Sequence, residues 1–200
     1  KSLGNFFTIR DILKTYDPEV LRFFMLSSHY RNPINFSQEL MEQAKSSLER
    51  LYNALYSMEH LEQQTIDKDL IKDDEEYLNE LEKNRENFIM AMDNDFNTAD
   101  AVASLFNIVR QHNMNINEKS PRKLIIATKE MLLTLGSVLG FFRKFTEKVL
   151  LDDEIEQKIR ERQHARKNKN YALADKIRDE LAAQGVVLED TPAGVRWKRQ

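Results

Sequence analysis

The chain has 200 residues, of which 32% are charged and 41% hydrophobic, with five glycines and a formal net charge of -3. That length allows one or two domains with a sizeable core, and a glycine-poor, charge-rich composition favours long solvated helices over a sheet. The absence of cysteine excludes disulfides and thiolate metal ligands and suits a reducing cytoplasm.

The four histidines, His29, His60, His112 and His164, lie far apart without metal-ligand spacing. No run approaches the length of a membrane span. The sequence starts at Lys1 with neither initiator methionine nor targeting leader, so it is expected to be a piece of something longer.

Lys1 to Phe6 reads as a polar loop turning apolar. Thr8 to Tyr16 reads as a short helix with Ile9, Ile12 and Leu13 on one side. Asp17-Pro18-Glu19 is a strong helix start, with an N-cap, a proline at the first helical position and an acid in the first turn. The helix that follows carries Val20, Leu21, Phe23, Phe24, Met25 and Leu26, apolar nearly all round, and is expected to be buried. Arg22 interrupts it and reads as a structural ion-pair residue, ahead of the alternative of a contact with RNA. His29 to Pro33 is a basic and aromatic linker that could touch RNA backbone, though it is too short to carry that reading.

Ser37 caps a helix with Leu40, Ala44, Leu48, Leu51 and Leu55 in one apolar stripe. From Glu59 to Glu86 eleven acids face four bases, a local charge of -7, which marks a solvated face or connector and would repel nucleic acid. Gln63 to Asp73 reads as the connector. Leu78, Leu81, Phe88, Ile89 and Met92 then recur at helical spacing, as do Val102, Leu105, Phe106 and Val109. Between these runs Asp93 to Asn97 can bond their own backbone and form a turn, with Asn97 or Thr98 as N-cap and Asp100 in the first helical turn. Ser120-Pro121 starts another helix, with Leu124, Ile125, Met131, Leu132, Leu135 and Leu139 inward. These pieces predict an antiparallel bundle of about four long helices.

Leu150 to Glu154 marks a boundary, because the charge pattern then reverses. From Gln157 to Arg178 eight bases face two acids, a local charge of +6. Asn170 caps a second helix with Leu173, Ala174, Ile177 and Leu181 inward and Gly185 as its stop. Val186 to Asp190, a turn over Thr191 to Gly194, and Val195 to Lys198 read as a hairpin. The basic helix corner, an exposed Tyr171 and Trp197 in a lysine- and arginine-rich hairpin suit single-stranded RNA, where bases stack on aromatics and phosphates meet cations. An amphipathic surface helix with a core tryptophan is the alternative on composition alone. The fold class is therefore mainly α: an antiparallel helix bundle, then a small α+β unit of two helices and a β-hairpin. The domains are 1–36 as a connective segment, 37–150 as the bundle and 151–200 as the small unit.

Four segments resemble one family. Met92-Asp93-x-Asp95-Phe96-Asn97-Thr98, followed by an alanine-rich helix ending Leu105-Phe106, resembles the bundle domain of cysteinyl-tRNA synthetases. Lys1-Ser2, followed by Gly4-Asn5, resembles the end of the Lys-Met-Ser-Lys-Ser loop of class I synthetases. Asp17 to Arg22 resembles the Asp-Ala-Leu-Arg-type segment joining the class I catalytic core to its helical domain. Ala165-Arg166-Lys167-x-Lys169-x-Tyr171-x-x-Ala174-Asp175-x-x-Arg178, then Gly185-Val186-x-Leu188-Glu189-Asp190-x-x-x-Gly194-x-x-Trp197, is similar to the anticodon-binding C-terminus of the bacterial enzymes.

The resemblance implies base-reading roles for Arg166, Tyr171, Asp175 and Asp190. Position 171 often carries tryptophan in the family, and tyrosine keeps a stacking face with a smaller ring. Lys167 and Lys169 take the backbone-contact role that cations play on phosphates. Lys1 is the remnant of the ATP-binding loop, where a flexible ammonium follows charge as pyrophosphate leaves. The parent would be a cytoplasmic, monomeric ligase that joins cysteine to ATP, passes it to tRNA(Cys) and grips the substrate thiolate with zinc. Within this chain the resemblance implies no catalytic and no metal-ligating residue, and a role in tRNA recognition without the chemistry. Two other readings are a helical protein-interaction scaffold without RNA binding, and a relative that conjugates cysteine to an amino sugar. The basic stretch from Arg166 to Trp197 argues against both.

Overall fold

The computed structural model describes residues 8–168, 170–191 and 194–199, with backbone alone at 147–151, 189–191, 194 and 196–199. It divides into two compact units, Lys1–Arg143 and Lys144–Gln200.

The first unit is helical. Helix α1 spans Ile9–Ile12 and is capped by Thr8, whose hydroxyl accepts from the Asp11 N–H at 3.1 Å. It is shorter than the periodicity suggests because its apolar side is not covered: Ile9 and Leu13 are exposed, and an isolated short helix is marginal in water. Helix α2 (Pro18–Leu26) starts as expected, with Asp17 accepting from the Glu19 N–H and Pro18 in the first turn. Only Val20, Phe23 and Phe24 among its apolar residues are buried, while Met25 is exposed. It therefore packs by one face against the next helix instead of being enclosed. Among the described residues Arg22 forms no ion pair; its guanidinium donates to the Gly140 carbonyl at 2.8 Å.

Helix α3 (Gln38–Gln64) begins at Ser37, whose hydroxyl accepts from the Leu40 N–H. Met41, Ala44, Leu48, Leu51, Leu55 and Met58 are buried, a stripe at three- and four-residue spacing that faces one side of a helix. Helix α4 (Lys72–Asp93) follows a seven-residue link and carries its acids outward, with Tyr77, Leu81, Phe88 and Ala91 buried. The link is the predicted connector, trimmed at both ends by the flanking helices. Ile89, expected inward, is partly exposed.

The turn from α4 into α5 (Thr98–Asn115) puts Asp95 at φ 55° and Phe96 at φ 52°. Two non-glycine residues in the left-handed region reverse the chain, and aspartate tolerates that region better than most. Asn97 then accepts from the Asp100 N–H at 3.2 Å and starts α5. Helix α6 (Arg122–Val138) begins one residue later than expected, with Pro121 as the flanking residue. The Ser120 hydroxyl accepts from the Asn117 N–H instead of capping the helix.

Polar groups tie the bundle. Tyr77 and Thr128 share a 2.7 Å hydroxyl–hydroxyl bond, Gln111 donates to the Tyr77 carbonyl, and Asn84 donates to Gln111. Burial disfavours the charge on Glu62, but Lys129 and Arg122 outweigh it and hold its carboxyl below the usual range. The unit closes on a tight corner. Gly140 and Phe142 have φ 72° and 70°, and the Phe142 ring lies where a Cβ on Gly136 would sit, 2.1 Å from Cε2.

The second unit consists of α7 (Arg143–Lys167) from Lys144 onward, α8 (Tyr171–Ala183) and an antiparallel hairpin, β1 (Val186–Thr191) with β2 (Gly194–Arg199). Helix α7 runs unbroken through Leu150 to Glu154, where the charge pattern suggests a boundary; helix-forming residues carry the backbone across it. Ile155, Ile159, Ile177, Leu181 and Val186 form the core, with Leu188 and Val195 packed on it. Gly185 at φ 76° ends α8 and turns the chain into β1.

Candidate nucleic-acid interface

The corner between α7 and α8 collects most of the residues with RNA-binding character. Asn168 and Asn170 bond back to the His164 and Ala165 carbonyls, closing α7. Asn170 Oδ1 then accepts from the Leu173 N–H at 3.2 Å and opens α8. Backbone N–H groups thus close the first helix, and the Asn170 side chain opens the second, as the sequence suggests. Of the predicted inward residues of α8, Ala174, Ile177 and Leu181 are buried, while Leu173 is 43% exposed.

Arg166 and Lys167 lie exposed on the last turn of α7. Tyr171 is the first residue of α8, with 60% of its surface open to solvent. Asp175 follows one turn later on the same face of α8, as four-residue spacing dictates. Its carboxylate lies 3.2 Å from Arg178 Nη1, and Arg178 Nη2 also reaches Asp179 at 3.1 Å. The pairing of Asp175 with Arg178 is a feature that the motif reading did not use, although i,i+3 opposite charges on a helix announce it.

Asp190 belongs to β1, where its backbone pairs with Val195; Trp197 pairs with Leu188. Helix α8 packs on β1, which links the hairpin bearing Asp190 to the helix bearing Tyr171 and Asp175. Lys169 and Lys1 lie outside the described residues.

On the other side of the helix pair is an open cleft of about 750 Å³, lined by Arg160, His164, Asn168, Leu173, Lys176 and their neighbours. Sequence reasoning missed it because it depends on how the two helices splay. Within this unit Lys158 also pairs with Glu180 at 2.8 Å, and holds that carboxyl below its usual range.

Family models match three stretches in chain order. Residues 1–46 match the tRNA synthetases class I (C) catalytic domain, residues 87–143 the DALR domain, and residues 149–197 the cysteinyl-tRNA ligase anticodon binding domain. The last match covers α8, the hairpin and most of α7, the elements that carry the basic corner. Taken in this order, the three matches are those of the C-terminal part of a cysteinyl-tRNA synthetase. The chain is a tRNA-binding C-terminal part of a cysteinyl-tRNA ligase.

In this synthetase chain the bundle turn of Asp95 to Thr98 falls within the DALR match, and α1, α2 and the start of α3 fall within the catalytic-domain match. Among the described residues no helix is long and apolar enough to cross a membrane. The family implies ATP and zinc in the parent. For zinc the chain offers no cysteine, and no three His, Asp or Glu residues among the described ones converge on a metal-sized site.

Proposed function

We propose that the α7–α8 corner and the hairpin read the anticodon of tRNA(Cys). Arg166 offers a planar fork suited to two acceptors on a guanine edge. Asp175 and Asp190 are acceptors only and suit the amino groups of cytosine, adenine or guanine. Tyr171 supplies the stacking face, and Lys167 and Lys169 meet phosphates. The observation that carries this reading is the match of residues 149–197 to an anticodon-binding domain, on a unit whose corner exposes Tyr171 between a basic helix end and an acceptor.

On this reading residues 1–36 connect, residues 37–150 form the bundle that presents the reader, and residues 151–200 are the reader itself. Lys1 is a remnant of the loop that meets ATP phosphates. The chain works in the cytoplasm as a monomer. Adenylate formation belongs to the parent, so the isolated chain gives no cysteine-dependent ATP–pyrophosphate exchange above background.

Filter-binding titration against two transcripts of tRNA(Cys), one with its GCA anticodon and one with an altered anticodon, tests the assignment. The expected result is clear preference for GCA. Equal affinity for both overturns it.

A further inference from the structure

Helix α8 offers two opposed faces to a ligand. Tyr171, Asp175 and Arg178 share one of them. Leu173, Lys176 and Glu180 stand about 140° to 200° round the helix from Tyr171, and they border the open cleft of about 750 Å³ between α7 and α8. Reading a base on the Tyr171 face leaves this cleft unused. Its size is that of a small-ligand site, which is usually built from an apolar floor and a few convergent polar groups.

Both parts are present. Ala165 and Ile177 are buried at the cleft, and Leu173, whose spacing predicts it inward, is 43% exposed there. Asn170 Oδ1 is taken by the Leu173 N–H, so the side-chain NH2 of Asn170 remains to donate. Lys176 has no ion-pair or hydrogen-bond partner among the described residues. Arg160 reaches Glu156, one turn back, at 3.6 Å, and 67% of its side chain is open to solvent.

Two carboxylates also border the cleft, and uncompensated they would repel a phosphate. Glu180 is paired with Lys158 at 2.8 Å, and that pair, with a smaller contribution from Lys176, holds its carboxyl below the usual range. Glu161 accepts from the Gln157 amide at 3.2 Å. The cleft thus presents an exposed apolar surface beside two cations that remain open to an anion. A nucleotide has the matching shape, a flat base carrying a phosphate. The local charge of +6 from Gln157 to Arg178 and the match of residues 149–197 favour RNA over an acidic peptide.

We propose that this cleft is a second RNA subsite, which takes one unpaired nucleotide of the anticodon loop outside the triplet. The base lies on Leu173, the Asn170 amide donates to a base or ribose acceptor, and Lys176 and Arg160 meet the phosphate. This deepens the anticodon-reading role proposed above and rests on it. A flanking nucleotide on the opposite face holds α8 between two parts of one loop, and adds affinity without reading the triplet.

The test measures coupling between protein and base, using the 200-residue chain and hairpins of the tRNA(Cys) anticodon arm. Each loop nucleotide outside the GCA triplet is made abasic in turn. The variants are Leu173→Gln and Lys176→Gln, both at exposed helical positions that accept glutamine readily, each checked by circular dichroism for an unchanged melt. One abasic position is expected to weaken wild-type binding about tenfold, as loss of a stacked base does. In Leu173→Gln the intact hairpin binds about tenfold more weakly, and the same lesion then adds less than about twofold. Lys176→Gln weakens every hairpin and lowers the slope of log affinity against log salt by about one. Losses that multiply for Leu173→Gln with every lesion overturn the proposal, as does unchanged hairpin affinity in Leu173→Gln. Titration with AMP alone separates a loop nucleotide from a free one. No saturation is expected below about 1 mM; micromolar binding abolished by Lys176→Gln would assign the cleft to a free nucleotide and overturn the loop assignment. Coupling at one lesion without preference for GCA keeps the subsite and overturns the triplet reading. Preference for GCA without coupling keeps that reading and overturns the subsite.

Discussion

Tyr30 donates its hydroxyl to Asp95 Oδ1 at 2.7 Å, across 65 positions of sequence. Arg31 adds a 2.8 Å ion pair to the other carboxylate oxygen, and the Tyr30 ring stacks on His29 at 4.9 Å. The Tyr30 bond, followed by Arg31, holds the Asp95 carboxyl below its usual range. The basic, aromatic linker that could suggest RNA contact is thus engaged by the left-handed turn of its own bundle.

Removing that hydroxyl separates the two roles. Tyr30→Phe keeps the stacking ring and deletes the bond at a solvent-exposed site, so the melting temperature falls only slightly, by less than about 3 °C. Affinity for tRNA stays within about twofold. A larger loss of binding with an unchanged melt would assign Tyr30 to the RNA surface after all.

Gly136 is placed where only a hydrogen fits. An added Cβ would stand 2.1 Å from Phe142 Cε2, and Phe142 itself is 1% exposed. The ring cannot retreat without breaking its packing, so Gly136→Ala costs about 1–3 kcal/mol by overpacking, despite alanine being the better helix former. Urea unfolding with an unchanged m-value gives the measure; neutrality or a gain would show that the corner repacks freely.

His112 sets a pH dependence. It is 2% exposed on α5, its Nδ1 is buried without a hydrogen-bond partner among the described residues, and burial lowers its pKa from 6.5 to about 4. Between those values the unfolded chain binds the proton and the folded chain does not, so stability rises with pH across that window and is lost as pH falls through it. The depressed carboxyls of Asp95 and Glu62 act in the same direction at lower pH. His112→Gln therefore flattens the melting-temperature profile between about pH 4.5 and 6.5 relative to wild type. An unchanged profile would show that His112 is protonated in the fold.

The helices and their caps were legible because each is a local code. Asp17, Ser37, Asn97 and Asn170 all accept the backbone N–H that their position in the sequence predicts. The motif of the bundle turn and the spacing of Arg166, Tyr171 and Asp175 were equally readable. What stayed hidden depends on partners far along the chain. No local pattern shows that Arg22 binds a carbonyl 118 residues away, that Glu19 holds the Phe142 N–H, or that Tyr30 meets Asp95. Charge reversal near Leu150 suggests a domain boundary, and α7 runs unbroken through that stretch, because charge alone does not interrupt a helix.

The sharpest expectation concerns how the corner distinguishes bases from backbone. A carboxylate near RNA is repelled by phosphate unless it accepts from a base or is neutralised. Asp175 has Arg178 beside it at 3.2 Å, so the free corner keeps that acceptor in place with its charge offset. On the anticodon-reading proposal, a base amino group that takes Asp175 frees Arg178 from that pair and leaves it beside Asp179. Arg166→Ala and Asp190→Ala should therefore weaken binding of the GCA tRNA far more than of one with a changed anticodon. Tyr171→Ala removes a stack worth about 1–3 kcal/mol per base and weakens both. Lys167→Ala and Lys169→Ala also weaken both about equally, and each lowers the slope of log affinity against log salt by about one, as loss of a phosphate contact does. Arg178→Ala should behave like the lysine variants while leaving anticodon preference intact. Titrations of both tRNAs at several salt concentrations read all of these outcomes together. Equal losses on the two tRNAs for Arg166→Ala would mean that it touches backbone alone, and the base-reading assignment would have to be dropped.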